Sequence, residues 1–138
     1  MALRAQYLAD KSALSRLPEP KVQKYLLPLL EGGLVATCAI IDLEVLYSAR
    51  SLKEYESVLT ERLAFEDIPI TRDVTDRAID VQHELAKRGQ HRVSLPDLLI
   101  AAAAELAELT LVHYDADFER IAGVTGQVHE WVAKRGSI

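Results

Sequence analysis

The segment from residue 95 to residue 104 constrains the fold of this chain more than any other. Its sequence is LPDLLIAAAA, with apolar side chains on nearly every helical face, so a helix here must be buried on all sides. Pro96 fits the first helical position, and Ser94 and Asp97 have the Ser-x-x-acid spacing of a capping pair. The segment therefore predicts a central buried helix with one carboxylate in its first turn.

The carboxylate of Asp97 in a buried helix has two explanations. An ionised carboxylate in a protein interior is unfavourable unless a partner offsets its desolvation. The positive end of the helix dipole favours an acid in the first turn, and aspartate is a common helix cap. Alternatively, Asp97 faces a cation. The segment by itself leaves both explanations open.

Length and composition predict a single domain spanning residues 1–138. A chain of 138 residues with 49% apolar residues has room for one core. No apolar run reaches the length that spans a bilayer, and the first residues lack the pattern of a signal peptide. One cysteine, Cys38, excludes an internal disulfide and fits a reducing compartment. We therefore expect a cytoplasmic protein without a membrane segment.

Short apolar segments alternate with helical patterns along the whole chain. Strands are predicted at residues 5–9, 34–36, 68–70 and 109–113, and residues 128–132 form a last strand or a short turn. Helices are predicted after Asp10, from Pro20 (with Pro28 ending or kinking it), at 38–50 with Thr37 as the cap, at 52–65 and at 71–89. A loop is expected at 123–126. This alternation predicts a three-layer α/β/α domain with a parallel sheet of four or five short strands.

Five carboxylates occupy positions where they can meet. Asp10 follows the first strand, and Asp115 and Asp117 follow the late one; ligands of open parallel sheets bind at that edge. Asp97 lies at a helix N-terminus, and Glu44 stands inside an apolar helical stripe, where an unpaired glutamate is rare. Each aspartate also has a local explanation as a helix cap or turn residue. Convergence of all five in one pocket is the alternative.

Convergent carboxylates repel one another and would take up protons without a counter-charge. Oxygen-only ligands select hard cations, so Mg²⁺ or Mn²⁺ fits, whereas one cysteine and scattered histidines do not fit zinc. Such ions activate water and stabilise charged phosphate in the transition state. If the carboxylates converge, they predict phosphodiester hydrolysis without a covalent enzyme intermediate.

Four motifs then occur in a familiar order: LADKS at residues 8–12, LEVLY at 43–47, DLLIAAAA at 97–104 and HYDADF at 113–118. Together they cover nearly the whole chain, which resembles the PIN-domain ribonucleases and, within them, the VapC toxins of bacterial toxin–antitoxin pairs. The motifs depart from the family pattern at two places. Lys11 stands where a small residue is common, and His113 and Tyr114 replace the usual Thr-Arg, which removes a candidate phosphate-binding arginine.

The resemblance implies a site, a cofactor and partners. Its catalytic residues are Asp10, Glu44, Asp97 and Asp115; the metal ligands are these four and Asp117; Ser12 supports them. It implies Mg²⁺ or Mn²⁺ as cofactor, transfer or ribosomal RNA as substrate, a VapB-like antitoxin and a second copy of the chain as partners.

Net charge and apolar patterning add two expectations about surfaces. A net charge of −5 argues against a broad basic surface, so RNA contacts are assigned to a local rim of Lys11, Arg16, Arg88 and Arg92. Apolar faces at residues 52–63 and 26–30 predict partner surfaces. An arginine of the antitoxin is expected among the four catalytic carboxylates, since its planar fork pairs with carboxylate oxygens.

Two other classes of function compete with a nuclease. A receiver-like signalling module also has a parallel sheet and an acidic Mg²⁺ site, but it usually needs paired acids after its first strand and a lysine after a late one. An aspartate-nucleophile phosphatase needs Asp-x-Asp after its first strand, whereas Asp115 and Asp117 come late. An interaction subunit with an inactive site is the third alternative, and four intact acidic positions weigh against it.

Overall fold

Five short strands form one parallel sheet in the structure, a computed structural model that describes residues 3–138. The strands are β1 (Tyr7–Ala9), β2 (Val35–Thr37), β3 (Glu66–Asp67), β4 (Thr110–His113) and β5 (His129–Trp131). Their order is β3-β2-β1-β4-β5, and Leu8 lies opposite Ala36 on one side and Leu111 on the other. The chain winds from β1 outwards to β3 and then returns to the other side of β1. The winding direction therefore reverses between β1 and β4.

Helices cover both faces of this sheet. They are α1 (Lys11–Leu14), α2 (Pro20–Glu31), α3 (Ala39–Tyr47), α4 (Leu52–Leu63), α5 (Arg72–Lys87), α6 (Leu95–Leu106) and α7 (Ala116–Thr125). Helices α3, α5, α6 and α7 pack on the face that carries Leu8 and Leu111. Helices α1 and α2 pack on the face that carries Ala9 and Val112. The predicted three-layer α/β/α architecture with a parallel sheet is confirmed.

Helix α6 is the buried helix that the sequence predicts. Seven of its residues are buried, including Asp97 and every alanine from Ala101 to Ala104. These small side chains let α6 lie close to α5, α7 and β4. The predicted capping pair is wrong, because the Ser94 side chain makes no cap hydrogen bond and the Asp97 carboxylate lines a pocket instead.

Several predicted boundaries differ from the structure. Strand β3 ends at Asp67 and does not span residues 68–70, because Pro69 has no N–H to donate to a neighbouring strand. Helix α2 continues through Pro28 to Glu31. Helix α7 continues through the predicted loop to Thr125, and Gly126, with a φ of 70°, provides the left-handed C-cap that glycine favours.

The sequence suggested Thr37 as the cap of α3, and this prediction is wrong. The N-cap is the buried Cys38, which uses no side-chain hydrogen bond. The Thr37 hydroxyl donates to Asp42 Oδ1 at 2.7 Å and accepts from Arg62 Nη2 at 2.7 Å. Arg62 also donates from Nε to Asp42 at 2.9 Å and is only 7% exposed. This buried network joins α4 to α3 and β2.

Within residues 3–138, no helix is both long and apolar enough to span a bilayer.

Candidate metal centre

The acidic residues meet where the winding direction of the sheet reverses. Asp10 follows β1 and Asp115 follows β4, and ligands of open parallel sheets bind at such a point. An open pocket of about 290 Å³ lies there. Its lining residues are Asp10, Lys11, Ser12, Ser15, Glu44, Ser94, Asp97, Asp115 and Asp117. The structure thus brings together all five predicted metal ligands, with Ser12 and Lys11, while their roles stay predictions.

Asp10 and Asp115 each serve as a helix cap through one carboxylate oxygen. Asp10 Oδ2 accepts the N–H of Ser12 at 3.0 Å, and Asp115 Oδ1 accepts the N–H of Asp117 at 2.9 Å. The other oxygen of Asp10, Oδ1, is buried and has no hydrogen-bond partner among the described residues. For Asp10, the explanation as a helix cap and the functional explanation therefore apply to different oxygens of the same side chain.

The closest group of carboxylates is formed by Asp97, Asp115 and Asp117. One oxygen from each lies within 4.8 Å of the other two. Asp97 is 6% exposed, and its pKa is raised to about 8, first by burial and then by the charges of Asp10, Asp115, Glu44 and Asp117. Burial is also the main cause that raises the pKa of Asp10. Both shifts express first the cost of burying an ionised carboxylate, to which the neighbouring negative charges add.

Glu44 completes the acidic wall from α3. Its Oε1 atom is buried without a hydrogen-bond partner among residues 3–138. Burial and the charge of Asp10 raise the pKa of Glu44, while Lys11 acts in the opposite direction. Two buried oxygens, Asp10 Oδ1 and Glu44 Oε1, thus have no partner among residues 3–138, and both residues line a pocket whose acidic side chains offer only oxygen ligands. This donor set fits a hard divalent cation such as Mg²⁺ or Mn²⁺.

Side chains hold the backbone rigidly just after β4. Ser12 Oγ accepts the N–H of Tyr114 at 2.9 Å, and His113 Nδ1 accepts the N–H of Asp115 at 3.1 Å. His113 is fully buried, and burial and the neighbouring His129 lower its pKa to about 4. The ring is therefore neutral and carries its proton on Nε2, 2.9 Å from His129 Nδ1. His113 fixes the backbone of Asp115, a role that the sequence analysis missed because the contact depends on the folded turn.

The four predicted RNA-contacting residues have different surroundings. Lys11 lines the acidic pocket. Arg16 stacks on the Tyr114 ring at 4.4 Å and donates to the Ser12 carbonyl. Arg88 donates to the Gly123 carbonyl at 3.4 Å, and Arg92 lines a separate pocket. Their part in RNA binding stays a prediction.

Residues 7–124 match the family described as PIN domain. The chain therefore belongs to the PIN-domain family. Its relatives there include Ribonuclease VapC51 of Mycobacterium tuberculosis, which is 46% identical over 138 residues that cover 100% of this chain and 99% of the relative. Ribonuclease VapC21 of the same species is 46% identical over 96% of this chain and 97% of the relative. The predicted placement among the VapC members of the family is confirmed.

Solved structures of this fold agree with the architecture. DNA-bound VapBC from Salmonella typhimurium has a TM-score of 0.75 at 20% identity, covering 94% of this chain and 99% of that chain. VapBC2 from Rickettsia felis, bound to a promoter DNA fragment, has a TM-score of 0.72 at 22% identity, covering 91% of this chain and 97% of that chain. At these identities the likeness shows the fold.

Proposed function

We propose that this protein is the endoribonuclease toxin of a toxin–antitoxin pair and cleaves RNA phosphodiesters with Mg²⁺ or Mn²⁺. The observation that carries the proposal is the acidic pocket, where buried oxygens of Asp10 and Glu44 have no partner among the described residues. The ribonuclease names of full-length relatives support the same activity.

Asp10, Glu44, Asp97, Asp115 and Asp117 would hold the ion in this proposal. When bound, the ion supplies an activated water and stabilises negative charge on the scissile phosphate. The caps formed by Asp10 and Asp115 fix those carboxylates before substrate arrives, which lowers the cost of arranging the site during the reaction.

Two neighbours complete the proposed chemistry. Ser12 ties α1 to the end of β4 through its hydrogen bond with Tyr114, so it supports the geometry of the site. Lys11 brings a positive charge to the edge of the same pocket, where it would attract a phosphate.

The RNA would cross the protein near this pocket, with Lys11, Arg16, Arg88 and Arg92 as its local cations. A chain with net charge −5 has to bind a polyanion through such a restricted region. Transfer or ribosomal RNA is the proposed substrate.

A VapB-like antitoxin and a second copy of the chain are the proposed partners. Exposed apolar residues support a partner surface. Leu43 (63% exposed) and Tyr47 (88%) line an open pocket together with Lys11 and Glu44, and Leu52 (72%) and Leu63 (76%) are exposed on α4. The predicted patch at residues 26–30 is largely absent, since Leu26 is fully buried and Leu27 is 38% exposed. Solved relatives of the fold are VapBC complexes, which agrees with an antitoxin partner.

The antitoxin is proposed to place an arginine among Asp10, Glu44, Asp97 and Asp115. Two of these carboxylates, Asp10 and Glu44, present unpartnered buried oxygens. A guanidinium donates two parallel hydrogen bonds to such oxygens and would compete with the ion for them.

The decisive experiment incubates the purified protein with total RNA in Mg²⁺ and then in EDTA. We expect cleavage in Mg²⁺, none in EDTA, and none with Asp97→Asn in either. Asp80→Asn, which changes an exposed acid on α5, serves as the matched control and should cleave normally. Cleavage that persists in EDTA would contradict the metal assignment. Stable phosphorylation by a small phosphodonor without cleavage would favour the receiver-like alternative.

A further inference from the structure

A second pocket adjoins the acidic one along the loop between α5 and α6. It is open, has a volume of about 310 Å³ and is lined by Gly89, Gln90, His91, Arg92, Val93 and Arg120. The next residue of the loop, Ser94, lines the acidic pocket. The two pockets are therefore consecutive along the chain, and the second one, which we call the basic pocket, contains two arginines and no carboxylate.

An ion pair joins the two pockets. Arg120 Nη1 lies 2.5 Å from Asp117 Oδ1, and Asp117 belongs to the close group of carboxylates in the acidic pocket. The Arg120 side chain is 51% exposed. Within residues 3–138 its other guanidinium nitrogens donate no hydrogen bond. Arg120 is thus held at one nitrogen and presents the remaining donors to the basic pocket.

We propose that Arg120, oriented by Asp117, binds the RNA phosphate next to the scissile one, with Arg92 as the second cation of that subsite. This inference rests on the proposed ribonuclease function. The planar guanidinium matches a phosphate with two parallel hydrogen bonds. Because the acidic pocket repels RNA, a flanking cationic subsite supplies the attraction that carries the strand to the site. Asp117 in this arrangement acts as the anchor of Arg120 as well as a wall of the acidic pocket.

A purely structural role for the ion pair makes a different prediction. Exposed pairs three residues apart on a helix contribute little to stability, so loss of Arg120 should leave the thermal midpoint nearly unchanged. If Arg120 served only as an internal counter-ion of Asp117, its removal would tighten Mg²⁺ binding and leave RNA affinity unaltered. RNA affinity and Mg²⁺ affinity therefore separate the two roles.

The test compares Arg120→Ala, Arg120→Lys and Arg4→Ala in the full-length chain. Arg4 is exposed and lines a pocket of about 370 Å³ before β1, at the opposite edge of the sheet from the acidic pocket. Arg4→Ala therefore removes the same positive charge as Arg120→Ala, but away from the acidic pocket. Binding of a fluorescein-labelled single-stranded RNA oligonucleotide of mixed sequence is measured by anisotropy at several salt concentrations, with Asp97→Asn in every protein to prevent cleavage. Cleavage of total RNA is measured without Asp97→Asn.

We expect Arg120→Ala to weaken RNA binding roughly tenfold and to reduce the salt slope by about 0.7. Arg120→Lys should keep the slope and lose part of the affinity, and Arg4→Ala should match the parent. In cleavage, Arg120→Ala should raise KM more than it lowers kcat. Equal effects of Arg120→Ala and Arg4→Ala, or unchanged RNA binding with tighter Mg²⁺ binding, would overturn the inference while leaving the ribonuclease function intact. A parent protein that neither binds nor cuts RNA would overturn both.

Discussion

Replacing Asp97 with asparagine should stabilise the metal-free protein at neutral pH. The structure places this carboxyl in the interior among four other acids and raises its pKa from 3.8 to about 8. In the unfolded chain the group ionises near pH 4, so between pH 4 and pH 8 the folded state binds more protons. The contribution of Asp97 to folding stability therefore falls as pH rises through this window. Asparagine keeps the shape of the protonated acid and removes the titration.

The size of the effect follows from the pKa shift. A shift of this extent sets an upper limit of about 4 kcal/mol on the free energy of unfolding that the protein loses at pH 7 because of Asp97. The pocket is open to water, which screens part of the repulsion, so we expect about 2 kcal/mol. For a domain of this length that corresponds to a rise in Tm of roughly 6–10 °C. The gain should vanish at pH 4.

The assay is urea unfolding in EDTA at several pH values between 4 and 8, comparing wild type, Asp97→Asn and Asp80→Asn. Only Asp97→Asn should differ from wild type, by an amount that grows with pH. Adding Mg²⁺ should stabilise wild type and narrow the difference, because an ion that binds only the folded state stabilises it. A difference that is independent of pH, or equal for both substitutions, would refute the electrostatic reasoning.

Two further substitutions test other parts of the structure. Arg62→Ala should cost about 3 kcal/mol in urea unfolding, because it removes the guanidinium that donates to both Asp42 and Thr37 and leaves Asp42 with only the Thr37 hydroxyl of this buried network. His113→Phe keeps an aromatic ring beside Phe118 and Trp131 but removes the acceptor for the N–H of Asp115. His113→Asn keeps an acceptor, its amide oxygen. RNA cleavage should therefore fall more in His113→Phe than in His113→Asn. Because the pKa of His113 is lowered from 6.5 to about 4, the contribution of this side chain to stability falls as pH falls through that range, opposite to that of Asp97. The stability of His113→Phe relative to wild type should therefore rise as pH falls from 6.5 to 4.

Features set by local patterns could be predicted from the sequence. The apolar faces around Asp97 required a buried helix, and the strand ends before Asp10 and Asp115 indicated a shared edge of a parallel sheet. Several of the features that were not predicted depended on contacts between distant residues. The Ser12 hydroxyl meets Tyr114 across 102 positions, and Thr37 is used by Arg62 rather than as a cap. Arg120 stands three residues after Asp117, a spacing that indicates an ion pair, but its pocket is formed by a loop that only the fold brings there.

The caps formed by Asp10 and Asp115 determine how an inactive version of this protein should be built for trapping RNA or partners. Alanine at either position would remove the hydrogen bond that starts α1 or α7, at a cost of about 1 kcal/mol, and would release the chain that shapes the pocket. Asparagine can accept the same N–H through its amide oxygen while removing the negative charge. An asparagine variant therefore removes the activity and keeps the structure of the pocket. If an alanine variant failed to capture RNA or a partner, either the lost charge or the altered pocket could be the cause.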